Sequence, residues 1–363
     1  MRQRLVLLLL VFALLGLGLP GCRAAGVSGT VWVDANRNGT LDAGERPLAG
    51  VPVSDGGEVA LTDAQGRYRL EAAAPPVLVR LTVPTGYWPD GNAWFLRVEA
   101  GGPPADFPLQ ERVEKTPWRF VQVSDVHNLA PAQPLIRRFV AEVAALDPPP
   151  ALVVCTGDLL NSVGGVTEEE LIRRLFGQYL AVMSGLPTPL LNLAGNHDLP
   201  GYGGTLSPDD PLFGVRGFEA LVGPAWYSLD YAGVHLVMLL ATRRDPATGA
   251  IRAGLPEDCR QWLERDLAVT PQDRPLLLFS HQPPSSWQGA VGPLLVGRKL
   301  LGVFCGHNHR NKVYSLGDWT VYEDGALSGG WWMGLGAEGT PRGYRLVTVG
   351  PEGITSAEYK RAP

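Results

Sequence analysis

The chain has 363 residues, 45% of them hydrophobic and 18% charged, with 45 glycines, 32 prolines and a net charge of −5. This composition excludes a disordered chain, and the length suggests two domains at about 150 residues each. No run rich in lysine or arginine occurs, so the electrostatic footprint of a nucleic-acid binder is missing.

The first segment stands apart. Arg2 and Arg4 precede LVLLLLVFALLGLGL, an unbroken apolar stretch over residues 5 to 19. That is short of the ~20 residues a helix needs to span hydrocarbon, so it reads as the core of a signal peptide covering residues 1 to 22. Leu19, Pro20, Gly21 and Cys22 resemble the lipobox of bacterial lipoproteins. The resemblance implies cleavage before Cys22, acylation of its thiol, and an extracytoplasmic chain anchored to a bacterial membrane. An ordinary cleaved signal, giving a secreted or periplasmic protein, is the alternative. Cys155, Cys259 and Cys305 match no zinc spacing and read as buried free thiols.

Residues 23 to 112 carry short strand-like runs separated by turn residues: GTVWVD, GVPVSD, EVALTD, GRYRLEA and VLVRLTVP. They predict a small all-β sandwich. The segment from Asp34 to Glu45 fits the twelve-position calcium-loop pattern, with oxygens at Asp34, Asn36, Asn38, Thr40, Asp42 and Glu45 and a glycine at Gly39. Oxygens at alternate positions wrap a hard cation, and the final glutamate can bind through both of its oxygens. The flanking strand and Pro47 are wrong for an EF-hand. GTVWVDANRNGTLDAGERPLAGVPV, followed by TDAQGRYRL, is similar to the B-type modules of bacterial serine–aspartate-repeat surface proteins and to the sandwich that precedes some exported phosphoesterases. The first of these implies Ca²⁺ in the loop; a polar hairpin turn is the plain alternative.

From residue 113 to 363, apolar strand-like runs alternate with helical patterns. APAQPLIRRFVAEVAALD repeats Leu135, Ile136, Phe139, Val140 and Val143 at helical spacing. TEEELIRRLFGQYLAVMSG predicts a helix opened by a capping box of Thr167 and Glu170, and LPEDCRQWLERDLA one with Pro256 in its first turn. The alternation predicts an α/β layered domain, in which ligands bind beyond the carboxyl ends of the strands. Five of the six histidines lie just past such ends, in WRFVQVSDVH, LLNLAGNHD, PLLLFSH and LGVFCGHNH, and ALVVCTGD ends on Asp158. The sixth, His235, sits inside YAGVHLVMLL and reads as a core histidine. Imidazoles, carboxylates and an amide gathered at one edge suit zinc, manganese or iron. They are too many for one tetrahedral site and fit two ions sharing a carboxylate, the arrangement that clamps the oxygens of a phosphoryl displacement.

Asp-x-His at 125–127, Gly-Asp at 157–158, Gly-Asn-His-Asp at 195–198, His281 and Gly-His-x-His at 306–309 resemble, in order, the five motif blocks of the calcineurin-like metallophosphoesterases. The family implies an α/β fold, a β-sandwich flanked by helices. It also implies two divalent transition-metal ions (Mn, Zn or Fe). The first would be held by Asp125, His127, Asp158 and His309, and the second by Asp158, Asn196, His281 and His307, with Asp158 bridging. An acidified water between them would provide a hydroxide nucleophile. His197 would be a catalytic proton donor, oriented by Asp198. Asn161 replaces the tyrosine of purple acid phosphatases, and GNHD with GDLLNSVG departs from the protein serine/threonine phosphatases. GNHD is more like the cyclic-nucleotide, glycerophosphodiester and sphingomyelin phosphodiesterases. The expected activity is hydrolysis of phosphodiesters. A phosphomonoesterase or nucleotidase on the same ions, and a non-catalytic calcium-binding surface module, are the alternatives. DGALSGGWWMGLGAEGTPRGYRL is similar to the tail of exported members, and Trp331 and Trp332 are candidates either to contact substrate at the cleft or to pack between sheets.

Overall fold

The apolar runs become the two sheets that position the site. The computed structural model describes residues 26–71, 73, 75–204, 206–245, 247–328 and 336–362, so the signal segment, Cys22, Trp331 and Trp332 lie outside the described residues. In one sheet Trp118–Val123, Leu152–Cys155 and Leu190–Asn192 run parallel, and Gly343–Gly350 with Gly353–Arg361 extends it antiparallel. The other is ordered Tyr227–Tyr231, Val234–Leu239, Leu276–Ser280, Leu300–Cys305, Trp319–Glu323, Lys312–Leu316, and its middle strands are parallel. Strands covered on both faces read as continuous apolar runs, which is why ALVVC and PLLLF lack alternation.

Alternate side chains feed two cores. Phe120, Val154 and Leu191 share one with Leu277, Phe279 and Phe304 between the sheets, where Phe120 meets Phe279 and Phe304 edge to face at 5.6 and 5.2 Å. Val121, Val123 and Val153 belong to the second core, with Ile136, Phe139 and Val143 of helix Gln133–Ala144 and Ile172, Phe176 and Met183 of helix Glu169–Met183. Trp262 and Leu263 of helix Glu257–Val269 join Val237, Leu276 and Leu278 there. The body is therefore an α/β sandwich with helices outside. Cys155, Cys259 and Cys305 are buried and free.

Two helix starts differ from expectation. The helix Glu169–Met183 has Glu168 at its N-cap and no side-chain cap, so Thr167 and Glu170 form no capping box. Thr167 lies one residue outside the position from which a hydroxyl caps an orphan N–H; Glu169 and Glu170 instead put negative charge in the first turn, where the helix dipole favours it. Pro256 sits at the N-cap and not in the first turn.

Ahead of this body stand two more sheets, one built from Val27–Val33, Arg46–Pro47, Arg67–Leu70, Tyr87–Pro89 and Phe107–Glu111, the other from Pro52–Ser54, Val59–Leu61, Val77–Leu81 and Phe95–Val98. Trp32 pairs with Pro47 and Val33 with Arg46, so residues 34–45 are the turn of a hairpin. The packing does not pause near residue 112. One core cluster runs from Val31, Val53 and Phe107 through Trp94 to Tyr227 and Leu229, and the Trp94 and Tyr227 rings lie 4.4 Å apart. Arg80, only 4% exposed, donates to the Trp226 carbonyl at 2.8 Å and to Glu219 Oε1 at 3.2 Å, while Trp226 Nε1 donates to the Gly56 carbonyl at 2.9 Å.

His235 sits at the same seam. Its Nδ1 is 2.7 Å from Asp230 Oδ1 and its Nε2 is 2.9 Å from Asp266 Oδ2. Ser228 donates to Asp266 Oδ1 at 2.7 Å and lies 3.0 Å from the Thr82 hydroxyl of the front sandwich. Arg274 pairs with the other oxygen of Asp230. Burial opposes a charge on His235, but the Asp266 and Asp230 carboxylates outweigh it and raise its pKa from 6.5 to about 9. A raised histidine contributes stability that is complete below pH 6.5 and is lost as pH rises through 9. Stability against thermal unfolding should therefore fall between pH 7 and 9.5, by a few kcal/mol at most. His235→Gln should unfold at lower temperature at pH 7 and show a flatter profile over the same window. Equal slopes for the two proteins would remove His235 as the cause.

Candidate metal centre

Each proposed ligand leaves the sheet at the carboxyl end of a strand, and the backbone there is unusual. Among the described non-glycine residues with positive φ are Asp125 (51°), His127 (45°), Asp158 (53°), His307 (73°) and His309 (54°). Such conformations are rare away from glycine and persist where the surroundings over-determine them, commonly at functional sites. Close backbone approach has a second cause. A Cβ at Gly195 would lie 2.0 Å from Asp158 Oδ1, and one at Gly306 would lie 1.8 Å from Ser124 Oγ and 2.5 Å from Asp125 Oδ2. Glycine before the ligand in GNHD and GHNH lets neighbouring strand ends converge.

The convergence produces two groups of ligand atoms, each within 4.8 Å: Asp125, His127 and His309; and Asp158, His281 and His307. In the first, His309 Nε2 lies 3.1 Å from Asp125 Oδ1 and 3.1 Å from His127 Nε2. In the second, His281 Nε2 lies 3.1 Å from Asp158 Oδ2 and 3.2 Å from Asn196 Oδ1, which brings Asn196 to this group. His281 Nδ1 is 2.9 Å from the Thr156 carbonyl; donating there leaves the Nε2 lone pair facing the site, as a metal-binding histidine requires. The other oxygen of Asp158 accepts the His197 N–H at 3.0 Å, and Asp125 Oδ2 accepts the His307 N–H at 3.0 Å.

Charge balance tests the fit of a metal pair. Asp125 and Asp158 are 0% and 2% exposed. Burial alone would raise their pKa values. The His309 hydrogen bond and the His281 charge hold Asp125 well below the usual carboxylate range, and the His281 charge and hydrogen bond lower Asp158. The cost moves to the imidazoles. His281 is raised to about 9 by Asp158 against the effect of burial, and His309 is raised by Asp125 in the same way. His307 falls to about 4 through burial and the His281 charge, and burial lowers His127 as well. Two carboxylates thus require positive charge at two neighbouring places. Divalent cations supply it and leave every imidazole neutral, so the donor set fits a pair of borderline metal ions.

The buried carboxylate of Asp198 accepts the N–H groups of Leu159 (3.1 Å), Leu160 (2.9 Å) and Gly195 (2.8 Å). Both oxygens thus hold the loop after Asp158 against the loop before Asn196, so Asp198 clamps backbone on either side of the centre. Burial and the Asp158 charge raise it to about 7, against those three donors. His197 stays beside the centre: its ring is 21% exposed, its Nε2 is 3.9 Å from Asp158 Oδ2, and its ring centroid is 5.5 Å from that of His127. Sequence reasoning passed over Glu323 and Asp324, although VYEDG has the same strand-end pattern. Glu323 accepts Asn308 Nδ2 at 2.5 Å and Arg310 Nε at 2.8 Å, bracketing His309. Arg345 lies 3.2 Å from Asp324 Oδ1.

In the front hairpin, Asp34 accepts the N–H groups of Asn38 and Gly39, and Glu45 those of Ala35 and Asp42. The Asn36 and Asn38 amide nitrogens both donate to Asp42 Oδ2, at 2.8 and 2.7 Å.

The family model for calcineurin-like phosphoesterase matches residues 119–311, and that for the N terminal of calcineurin-like phosphoesterase matches residues 35–102. The chain belongs to the calcineurin-like phosphoesterase family. Its class is that of metal-dependent phosphoester hydrolases with a dimetal fold and candidate groups to hold the metals. No protein of curated function matches it. Solved structures with a similar course include a dimetal phosphatase from Danio rerio, 14% identical over 69% of this chain and 100% of its own (TM-score 0.48). GAP50, the anchor in the inner membrane complex of Plasmodium, is 14% identical over 69% and 90% (TM-score 0.42). An archaeal phosphodiesterase is 12% identical over 67% and 97% (TM-score 0.32).

Purified protein should carry close to two transition-metal ions per chain, lose activity to a chelator and regain it with Mn²⁺ or Zn²⁺. Gly195→Ala adds no ligand and removes none, yet its methyl group would displace Asp158. It should weaken metal retention by about 10- to 100-fold, the range for disturbed support of metal ligands. Unchanged metal content in a folded Gly195→Ala protein would refute the proposed dependence of the centre on that close approach.

Proposed function

We propose that the protein is an extracytoplasmic phosphodiesterase, with Asp125, His127, Asp158 and His309 on one metal ion and Asp158, Asn196, His281 and His307 on the other. When bound, the two ions supply Lewis acidity toward the phosphoryl oxygens and an acidified water as nucleophile. Asp158 is the proposed bridge: it sits among the second group, and one of its oxygens is held by the His197 N–H. Thr156 keeps His281 in one tautomer, and Glu323 fixes the segment that carries His309.

The placement of His197 carries this reading. It is beside the bridging carboxylate, outside both ligand groups, and its ring is partly open to solvent. From there a protonated imidazole can give its proton to a departing alkoxide, a contribution of ~10²–10⁴ in rate. The GNHD block, similar to that of diesterases acting on cyclic nucleotides, glycerophosphodiesters and sphingomyelin, supports a diester over a monoester. His197→Ala should retain both ions, lose little activity on bis(p-nitrophenyl) phosphate, and lose about 10²-fold or more on an alkyl phosphodiester. Equal losses on both would assign His197 to binding or charge stabilisation.

Membrane anchoring through Cys22 rests on the lipobox-like sequence. Salt-resistant membrane association should disappear in Cys22→Ser; salt-extractable native protein would rule the anchor out. Ca²⁺ in the front hairpin is supported by its oxygen pattern. Rotation of the Asn36 and Asn38 amides would turn their oxygens toward the place their nitrogens now occupy beside Asp42. Millimolar Ca²⁺ should raise the melting temperature of the whole chain by mass action, and Glu45→Gln should blunt the rise. Melting curves that ignore Ca²⁺ would leave a plain turn.

A further inference from the structure

The small hairpin Thr242–Arg244 with Ile251–Ala253 belongs to neither main sheet, yet it leaves the body at the catalytic end. Val234–Leu239 runs parallel to Leu276–Ser280, with Leu239 opposite Ser280. Its continuation into Thr242 therefore emerges beside His281. One flank of the hairpin meets the loop that follows the GNHD block: the Arg244 guanidinium lies 5.5 Å from the Phe213 ring centre, and Phe213 packs on Tyr202 at 5.6 Å. That loop is tied to the one after Asp158, since Gly203 donates to the Gly164 carbonyl at 3.0 Å. The other flank meets the segment after His281. The position of a Cβ at Gly254 lies 3.3 Å from Arg243 Nε and 3.6 Å from the Ser286 carbonyl. The hairpin thus bridges loops from two proposed ligand strands.

Its charge pattern works against its own stability. Arg243 and Arg252 are directly opposed across the two strands. Like charges so placed destabilise a pairing, and an isolated two-stranded ribbon is marginal to begin with. Among the described residues neither arginine lies within salt-bridge distance of a carboxylate; Arg252 is only close enough for its charge to help the Thr248 and Ala247 N–H groups lower the pKa of Asp245. Asp245 spends Oδ1 on the N–H groups of Ala247 and Thr248, at 3.0 Å each. Both arginines are exposed, on a chain of net charge −5. Arg244, one position along, falls on the opposite face of the ribbon and seats it against Phe213. A guanidinium presents its N–H donors in a planar fork that matches phosphate and carboxylate oxygens, and directly opposed positions bring two such side chains to one stretch of the ribbon.

We propose that Arg243 and Arg252 form a clamp for a second anionic group of the substrate, a phosphate or carboxylate carried beyond the scissile phosphodiester, with Arg244 positioning the hairpin. The proposal rests on the phosphodiesterase reading and adds the substrate class: diesters with an extra negative charge on one arm.

Two chromogenic esters that differ only in that charge test it: thymidine 5′-(p-nitrophenyl phosphate), and the same compound bearing a 3′-phosphate. With Mn²⁺-loaded native enzyme at low salt, kcat/KM should favour the 3′-phosphorylated ester at least about tenfold, and the preference should shrink with added salt. In the double variant Arg243→Gln/Arg252→Gln the ratio should fall toward one, while Arg174→Gln, on a helix of the body, should keep it. With no anion present, the double variant should melt no lower than native protein, because a like-charge pair has been removed. A native ratio at or below one, or an unchanged ratio in the double variant, overturns the clamp and leaves the diesterase reading standing. Cleavage of p-nitrophenyl phosphate with neither diester touched would sink the diesterase reading instead. The clamp is then judged by competitive inhibition of that reaction: thymidine 3′,5′-bisphosphate should bind at least about tenfold tighter than thymidine 5′-monophosphate in native protein and lose that advantage in the double variant, and equal inhibition overturns it.

Discussion

Two carboxylates buried within reach of four imidazoles set the terms for the rest of the molecule. Asp125 and Asp158 cannot stay ionised out of water without positive charge close by, since an unpaired buried charge is among the most costly features a fold can hold. Their neighbours are arranged to provide for it. Strands end together, glycines admit the close approach, and Asp198 spends its own carboxylate on backbone N–H groups so that the loops cannot drift apart. The sheets and helices outside serve this edge: a rigid β-sandwich with aromatic contacts across its middle holds the strand ends in register.

Much of the centre was legible because it obeys a simple rule of placement. A strand buried on both faces is apolar until it leaves the sheet, so a polar residue at its end is conspicuous. That rule found Asp125, His127, Asp158, Asn196, His281, His307 and His309, and it distinguished His235, which lies within a strand and pairs with carboxylates there. It also applies to Glu323 and Asp324 at the end of Trp319–Glu323, where the sequence brings no histidine or asparagine beside them to mark a site.

What sequence could not show was direction. Asp198 follows His197 in the chain, and adjacency suggested a pair. The turn from Gly195 to Asp198 brings the carboxylate onto backbone N–H groups, which the sequence does not announce. Arg80, within the run VLVRLTVP, is inserted between the front sandwich and the body. No local pattern marks an arginine that will be buried by residues far along the chain. The capping box failed for a related reason: the pattern was present, but the helix began two residues after the threonine.

The left-handed backbone at Asp125, His127, Asp158, His307 and His309 carries an implication for descent. L-residues are held there at an energetic cost, and glycine or asparagine would relieve it. A lineage that stopped needing the metals would meet no resistance to such replacements and would gain stability from each. In a relative, exchange of these residues for glycine would relieve the strain and remove a metal donor in the same step, so such an exchange would be an early mark of lost metal binding.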